Sequence, residues 1–573
     1  MAQKTIFPGI KVLLNYDLRN LRYDASSGLT VGVMLIPQGI AYAMIAGLPP
    51  VYGLYAALVP QLVYALLGTS RLLAVGPVAM DSLLVAAGLS LIAVQGTETY
   101  ISYAILLALM VGVFQFVLGL FRMGFITNLL AKPVITGFTT AAAIIIALGQ
   151  LKHLLGYEVR NSSNIGLLVL DVLKGLDQIH WLTFSIGICG FLIILILKKS
   201  FPKLPNSLFV VIAGMAVVSV FNLEGLGVEI VGSIPKGLPS FSFPALQWSV
   251  VEKLFPLALT IAIIAYMEAF SISKALEAKK RDHQVHANKE LLALGVGNIL
   301  GSLFQAFPTT AGFSRSAVNF ESGGRTQVTS LISAVVIALV LLFLTPLFYF
   351  LPKAILAAVI MTAVVGLVDF KYAYSLWLTN KMEFAILLAT LIITVSFGMV
   401  MGIFGGILLS IILLLYRLGY PHIAFLGRVP EHQEFRNVRR FNDLEVWEDL
   451  LILRVDSPLT FVNIQYFRDR LEKKLINQGD KIKAILLDAG PISQIDATAI
   501  SGLEDLLNSF RKRGIQFMIA DVVGPVRDQL HRSGLVAEIG KTNFFLNLND
   551  AVDYYFGNVE HKFLKFSSQS EEV

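Results

Sequence analysis

The chain has 573 residues, 55% of them hydrophobic and 15% charged, with a mean hydropathy of +0.71. Soluble domains carry roughly 25% charged residues, so this composition excludes a soluble protein and assigns most of the chain to lipid. The net charge of +6 does not point to nucleic acid, because the basic residues gather at helix ends (Lys198–Lys199, Lys279–Arg281, Arg417) as the positive-inside rule requires.

In chain order, residues 1–25 form a charged amphipathic lead-in (Lys4, Lys11, Arg19, Arg22) with no cleavage-site pattern. Residues 26–420 are long apolar runs with short basic punctuation, the expected transmembrane domain. A span needs about 20 apolar residues. Fourteen candidate centres fall near Pro37, Ala57, Leu84, Leu107, Ala142, Leu192, Val211, Ile263, Gly295, Ser316, Val336, Ala358, Leu391 and Ile411. An even number leaves both termini on one side, and the basic runs make that side the cytoplasm. The expected location is a cell membrane of bacterial inner-membrane type. Cys189 is the single cysteine, which excludes a disulfide framework. Asn161-Ser-Ser fits a glycosylation pattern only by its commonness. His153 and His180 lack metal-ligand spacing and are expected to be solvated.

Two segments break the apolar pattern in the same way. Residues 72–80 read L-L-A-V-G-P-V-A-M, and residues 303–313 read L-F-Q-A-F-P-T-T-A-G-F. Pro77 and Pro308 are each expected at the first turn of a helix, where the missing N–H costs nothing. Each break falls in the third span of its half, and an odd number of spans per half inverts the second half. The expected fold is therefore an α-helical membrane protein of fourteen spans, a seven-plus-seven inverted repeat with two half-helices meeting at the midplane. Irregular backbone at that depth must line a cavity. Two helix N-termini aimed at one point suit an anion, with Val78 and Ala79 opening the first half-helix. The alternative is a pair of proline-kinked helices with no ligand.

Residues 50–71, P-V-Y-G-L-Y-A-A-L-V-P-Q-L-V-Y-A-L-L-G-T-S-R, combine an extended turn (Pro49, Pro50, Gly53), a helix rich in small residues and a basic stop at Arg71. The stretch resembles the signature of the sulfate permease (SulP) family of anion transporters: P-x-Y-G-L-Y, two small residues, an apolar stretch with Tyr, then G-x-S-R. The resemblance implies an elevator-like motion, in which a core of spans one to four and eight to eleven slides against a gate of the rest.

The string Phe313-Ser314-Arg315-Ser316-Ala317-Val318-Asn319 begins at the second break. An arginine inside a span costs about 2.5–3.5 kcal/mol on insertion scales, so Arg315 should face a cavity or a partner. Its planar fork suits an oxyanion edge, and Ser314, Ser316 and Thr310 offer hydroxyl donors. The string is similar to that of sulfate-transporting members of the family, where the equivalent Ser and Arg contact the anion. The alternative is a carboxylate partner that staples two helices. Gln38 and Tyr42 are i, i+4 neighbours on the first span, and the resemblance puts them along the substrate cavity opposite Phe313. Interhelical hydrogen bonding is the other role open to them.

Glu268, in the eighth span, must be protonated, paired or solvated. The resemblance implies a coupling site at this position, for H⁺ or for Na⁺, with Ser271 and Ser273 nearby. Asp81 lies one turn into the first half-helix, where many family members carry an apolar residue. It is either a second proton or cation site or it faces away from the cavity.

From about Arg428 the sequence becomes ordinary and polar. Residues 421–445 are expected as a linker, 446–560 as a cytoplasmic domain and 561–573 as a tail. Strands at Leu451–Val455, Ala484–Leu487 and Phe517–Ala520 alternate with helices at Asn463–Leu475, Thr498–Phe510 and Pro525–Ser533, a small α/β sheet. The turn D-A-G-P-I-S-Q-I-D-A-T-A-I-S-G-L-E-D-L resembles that of a STAS domain, the module that ends SulP transporters. Asp496 is the expected N-cap. Thr498 stands where related antagonists carry a phosphorylatable Ser, or else it caps or packs.

The expected function is secondary active import of sulfate or a related oxyanion, with H⁺ symport through Glu268 and no cofactor. The family resemblance implies a homodimer through the last span and the STAS domain, and a cytoplasmic STAS-binding protein is a possible partner. Na⁺/bicarbonate symport, dicarboxylate transport and chloride exchange are the neighbouring alternatives. A membrane-tethered anion sensor signalling through Thr498 is an alternative of a different class.

Overall fold

The computed structural model describes residues 8–128, 131–157, 174–200, 206–280, 284–365 and 368–557. The expected tail and the Asn161 tripeptide lie outside these residues. The chain forms two compact units, Met1–Ser410 and Ile411–Val573.

The first unit is helical. After a short helix α1 (Pro8–Leu14) come α2 (Leu21–Ile45), α3 (Pro50–Leu67), the two-residue strand β1 (Val75–Gly76) and α4 (Ala79–Leu89). Then follow α5 (Glu98–Leu120), α6 (Lys132–Leu155), α7 (Trp181–Ser200) and α8 (Asn206–Val220). The second half has α9 (Trp248–Lys280), α10 (Ala287–Leu303), β2 (Thr310–Ala311), α11 (Phe313–Glu321), α12 (Val328–Leu339) and α13 (Lys353–Val364). The helices α14 (Phe370–Thr379), α15 (Lys381–Phe397) and α16 (Met399–Gly419) complete the series. Each of the fourteen expected centres lies in one of these helices. Among the described residues, eight helices are long and apolar enough to cross a membrane. Their outer faces expose Phe116, Leu192, Phe343 and Leu408, as lipid-facing surfaces do.

The inverted repeat is visible in the packing. β1 and β2 pair antiparallel, with Val75 opposite Ala311 and Gly76 opposite Thr310. The two breaks therefore meet as one short ladder, and a half-helix leaves each end of it. The neighbours are reciprocal: α2 packs on α11 and α12, while α9 packs on α4 and α5. The prolines sit differently from the expectation. Pro77 precedes the N-cap Val78, and Pro308 lies before β2, so neither occupies a first helical turn. Each instead keeps its chain extended ahead of the helix.

Gly53 is likewise not a turn residue. It lies in the first turns of α3, behind Pro50 at the helix start, and a Cβ there would be 1.9 Å from the Gly39 carbonyl oxygen of α2. Glycine at both positions lets the two backbones touch.

The second unit is a sheet of order β4-β3-β5-β6-β7-β8. Its strands are β3 (Ile423–Arg428), β4 (Phe435–Asn437), β5 (Leu450–Val455), β6 (Ala484–Asp488), β7 (Gln516–Ala520) and β8 (Phe544–Phe545). β5 to β8 run parallel, and β3 is antiparallel to both β4 and β5. The expected linker 421–445 thus supplies two strands of the sheet. Alternation does the rest. Leu451, Leu453, Ile485, Leu487, Phe517 and Ile519 pack under α17 (Ile464–Gln478), α18 (Ala497–Lys512) and α19 (Gly524–Arg532). Leu450, Ile452, Leu486 and Met518 face the opposite way, onto the C-terminal helix Leu548–Tyr555.

Asp496 caps α18 as expected, accepting from the Ala499 amide at 2.8 Å. Thr498 is exposed and forms none of the described hydrogen bonds. It neither caps nor packs, because Asp496 has taken the cap.

Candidate anion site between two half-helices

The second half-helix is laced to the first break. Gly312 donates its amide to the Ala74 carbonyl at 3.0 Å. The Ala74 amide in turn donates to Ser316 Oγ at 3.0 Å. Asn319 Nδ2 donates to the Leu72 carbonyl at 2.9 Å, and Ser27 Oγ donates to Asn319 Oδ1 at 2.7 Å. These bonds fix α11 against residues 72–77 and decide where its first turn points.

Arg315 sits within this lacing. Its side chain is 1% exposed, and Nη1 donates to the Pro77 carbonyl at 3.0 Å and to Gln38 Oε1 at 3.3 Å. Nε and Nη2 have no partner. Among the described residues Arg315 forms no ion pair, so the expected alternative of a carboxylate staple is not formed. Its guanidinium fills space left by Gly312 and lies against Gly76, one glycine from each break. A Cβ on Gly312 would be 2.5 Å from Arg315 Cζ, and one on Gly76 would be 3.5 Å from Nη2.

Beside this cluster lies a cavity of about 330 Å³. Its lining includes Met80, Met267, Glu268, Ser271 and Phe313 as a first set and Phe138, Thr139, Asp369 and Ile403 as a second. The first set comes from α4, α9 and α11, the second from α6, the N-cap of α14 and α16. Phe313 is 64% exposed. Glu268 is half-buried, with Oε2 unpartnered. Asp81 is fully buried, with neither oxygen partnered. Asp81 and Arg315 each act electrostatically on Glu268 or feel its charge, and Tyr42 feels both Arg315 and Glu268.

The expected site residues divide accordingly. Glu268, Ser271 and Phe313 reach the cavity. Ser314 is exposed at the first turn of α11, while Val78 and Ala79 are buried at the first turn of α4. Gln38 and Tyr42 are buried, and Gln38 serves Arg315. Thr310 is not an anion donor: its hydroxyl donates to the Ala265 carbonyl, because β2 runs against α9 there. Ser316 Oγ accepts from the Ala74 amide and keeps its own O–H as a donor, and Ser273 is buried outside the cavity lining. His153 and His180 are half-buried rather than solvated, and His180 Nδ1 lies 2.7 Å from Thr183 Oγ1.

Two positioning residues, Glu290 and Asp24, carry no clear signal in the sequence. Glu290 is fully buried at the start of α10 and accepts from Tyr64 Oη (2.6 Å), the Thr69 amide (2.8 Å), the Ser70 amide (3.2 Å) and the Thr69 hydroxyl. It holds the G-T-S-R turn that leads into the first break. Asp24 does the same at the other end, accepting from the Arg325 and Thr326 amides and the Thr326 and Tyr16 hydroxyls. The only sequence signal was a lone acid beside a basic run.

A helical membrane unit whose two extended breaks pair, send off opposed half-helices and border a cavity has the architecture of a membrane transporter. The comparisons name the family. Residues 21–390 match the Sulfate permease family and residues 442–551 match the STAS domain. The chain belongs to the sulfate permease family. Sulfate transporter 4.1, chloroplastic, of Arabidopsis thaliana is 39% identical over 586 residues, covering 98% of this chain and 85% of that protein. Probable sulfate transporter 4.2 of the same plant is 41% identical over 566 residues, covering 96% and 83%. Murine Slc26a9, an anion transporter solved in the inward-facing state, superposes with a TM-score of 0.89 at 24% identity, covering 96% of this chain and 94% of that one. The transmembrane domain of the cyanobacterium bicarbonate transporter BicA gives 0.60 at 23% identity, covering 69% and 98%. At these identities the two structures speak for the fold. The two relatives are plant proteins, one named as chloroplastic, and lend no support to a bacterial inner membrane.

Proposed function

We propose that the protein imports sulfate or a closely related inorganic oxyanion by proton symport. The observation that carries this reading is Arg315, a buried guanidinium between two half-helix N-termini with two of its nitrogens, Nε and Nη2, unpartnered. Each N-terminus adds about half a positive charge, and Arg315 adds a full one. That total suits a dianion better than bicarbonate or chloride. The sulfate transporters among the relatives favour the same substrate.

Glu268 carries the coupling proton in this reading. It lines the cavity and feels the charge of Arg315 without pairing to it. Protonated, it leaves the guanidinium free to attract an anion; ionised, it competes with one. The cavity wall is split between the expected core (Met80, Glu268, Phe313) and the expected gate (Phe138, Thr139, Asp369, Ile403). This split supports an elevator-like motion in which the core carries the anion past the gate. Fourteen spans, cytoplasmic termini and a homodimer complete the proposal.

The test is uptake of radiolabelled sulfate by the purified full-length protein in liposomes. An inward proton gradient should drive accumulation and a Na⁺ gradient should not. No accumulation under the proton gradient would refute proton-driven sulfate import.

A further inference from the structure

The fold treats its buried acids in two ways. Asp24 and Glu290 are surrounded by donors, four hydrogen bonds each, from amides and hydroxyls of distant loops. Such a carboxylate can stay ionised in the interior. Asp81 is equally buried, at 0% exposed, and receives no donor on either oxygen. Nor is it spent on its own helix: the N-cap is Val78, and no side chain caps α4. A carboxylate kept so would be an uncompensated buried charge.

Four helices pack against α4, namely α2, α5, α6 and α9. Of the titratable groups they bring, Glu268 of α9 is the one that acts on Asp81. Tyr42 of α2 faces Glu268 and Arg315 instead. Asp81 and Glu268 are thus two acids on opposite halves of the repeat, each with an unpartnered oxygen: Glu268 lines the cavity and feels the guanidinium, and Asp81, next to Met80 of the cavity wall, feels Glu268.

We infer that Asp81 is a second proton-carrying carboxyl of the transport site, so that two protons enter with each divalent anion. The inference rests on the proton-symport reading above and extends it from one acid to two. Charge balance gives the reason. Arg315 and the two half-helix N-termini together supply about +2. With both acids ionised the site is near neutral and has no attraction for a dianion. One proton restores about +1, and two restore about +2, which matches a divalent oxyanion. Protons and anion then move as a neutral set, and on the inside loss of the protons expels the anion.

The experiment uses the full-length protein in liposomes with labelled sulfate, an imposed pH gradient and the membrane potential clamped. At zero potential a tenfold proton gradient balances about a hundredfold sulfate gradient if two protons move, and about tenfold if one does. The wild-type protein is expected to balance near a hundredfold, at a point that does not shift with membrane potential. Asp81→Asn, which fixes the neutral form, is expected to balance near tenfold and to be opposed by an inside-negative potential. Asp81→Ser serves the same purpose if the amide does not reconstitute. Wild-type balance near tenfold, or an Asp81 variant that keeps the hundredfold, potential-independent balance, overturns the inference and leaves single-proton symport standing. Absence of any proton-driven accumulation in the wild type removes both.

Discussion

Arg315 on the second half-helix donates from Nη1 to the carbonyl oxygen of Pro77, at the foot of the first, across 3.0 Å. The guanidinium is therefore held by the backbone of the opposite repeat, while Nε and Nη2 remain unbonded. A planar fork can keep that anchor and still offer two N–H groups to an anion. Arg315→Lys keeps the charge but cannot do both at once. Sulfate affinity, read from the concentration dependence of uptake, should fall by about one to two powers of ten, because a charge-assisted bond is worth about 1.5–3 kcal/mol. Unchanged affinity in the lysine variant would remove Arg315 from the site.

The contact between Gly53 and Gly39 gives a stability prediction. A methyl on Gly53 would sit 1.9 Å from the Gly39 carbonyl, so two backbones must part. Gly53→Ala should cost about 1–3 kcal/mol by overpacking and lower the unfolding temperature of the purified protein. Gly149→Ala is the matched control, in α6 with nothing within 4 Å of the added methyl, and it should be neutral or slightly stabilising.

Glu290 is expected to matter more than its place outside the cavity suggests. Glu290→Gln keeps the shape but turns one acceptor into a donor facing the amides and hydroxyls of residues 64–70. An unsatisfied buried polar group costs about 1–3 kcal/mol, so the variant should unfold at lower temperature and transport more slowly. Wild-type stability would show that the G-T-S-R turn holds without it.

The STAS domain supplies a pH dependence. Burial pushes the Asp456 carboxyl up, but hydrogen bonds from Arg454 (2.6 Å) and His422 (2.8 Å) outweigh it and hold it below the usual carboxylate value. A lowered folded value means the folded state releases this proton more readily than the unfolded one. The stabilisation is therefore complete above about pH 4 and is lost as pH falls through the lowered value. In thermal unfolding of the full chain, Asp456→Asn should flatten that acid limb. A variant whose acid limb follows the wild type would contradict the assignment.

The parts of the fold that were legible in the sequence are those set by local pattern. Apolar run length located the helices, and strand–helix alternation located β5, β6 and β7 with their helices. The Gly76-Pro77 and Pro308-to-Gly312 breaks announced the half-helices, though only the β1–β2 pairing shows that the breaks touch. Pairings across the chain were not legible. Glu290 carries no clear local signal because its donors lie more than two hundred residues away. Thr310 looked like a free hydroxyl because the Ala265 carbonyl that takes it belongs to a separate helix. Strands β3 and β4 were missed for a related reason: β4 has only three residues, two of them polar, and β3 takes its place in the sheet only through antiparallel pairing with β5 and β4.

The central claim is that the anion binds where the two half-helices open, against Arg315. The most direct measurement is a structure of the protein saturated with selenate, whose scattering marks the ion. Density is expected within hydrogen-bond distance of the Arg315 guanidinium and the Ser314 hydroxyl, between the first turns of Ala79–Leu89 and Phe313–Glu321. Density confined to another place, with Arg315 still bonded only to Pro77 and Gln38, would contradict it.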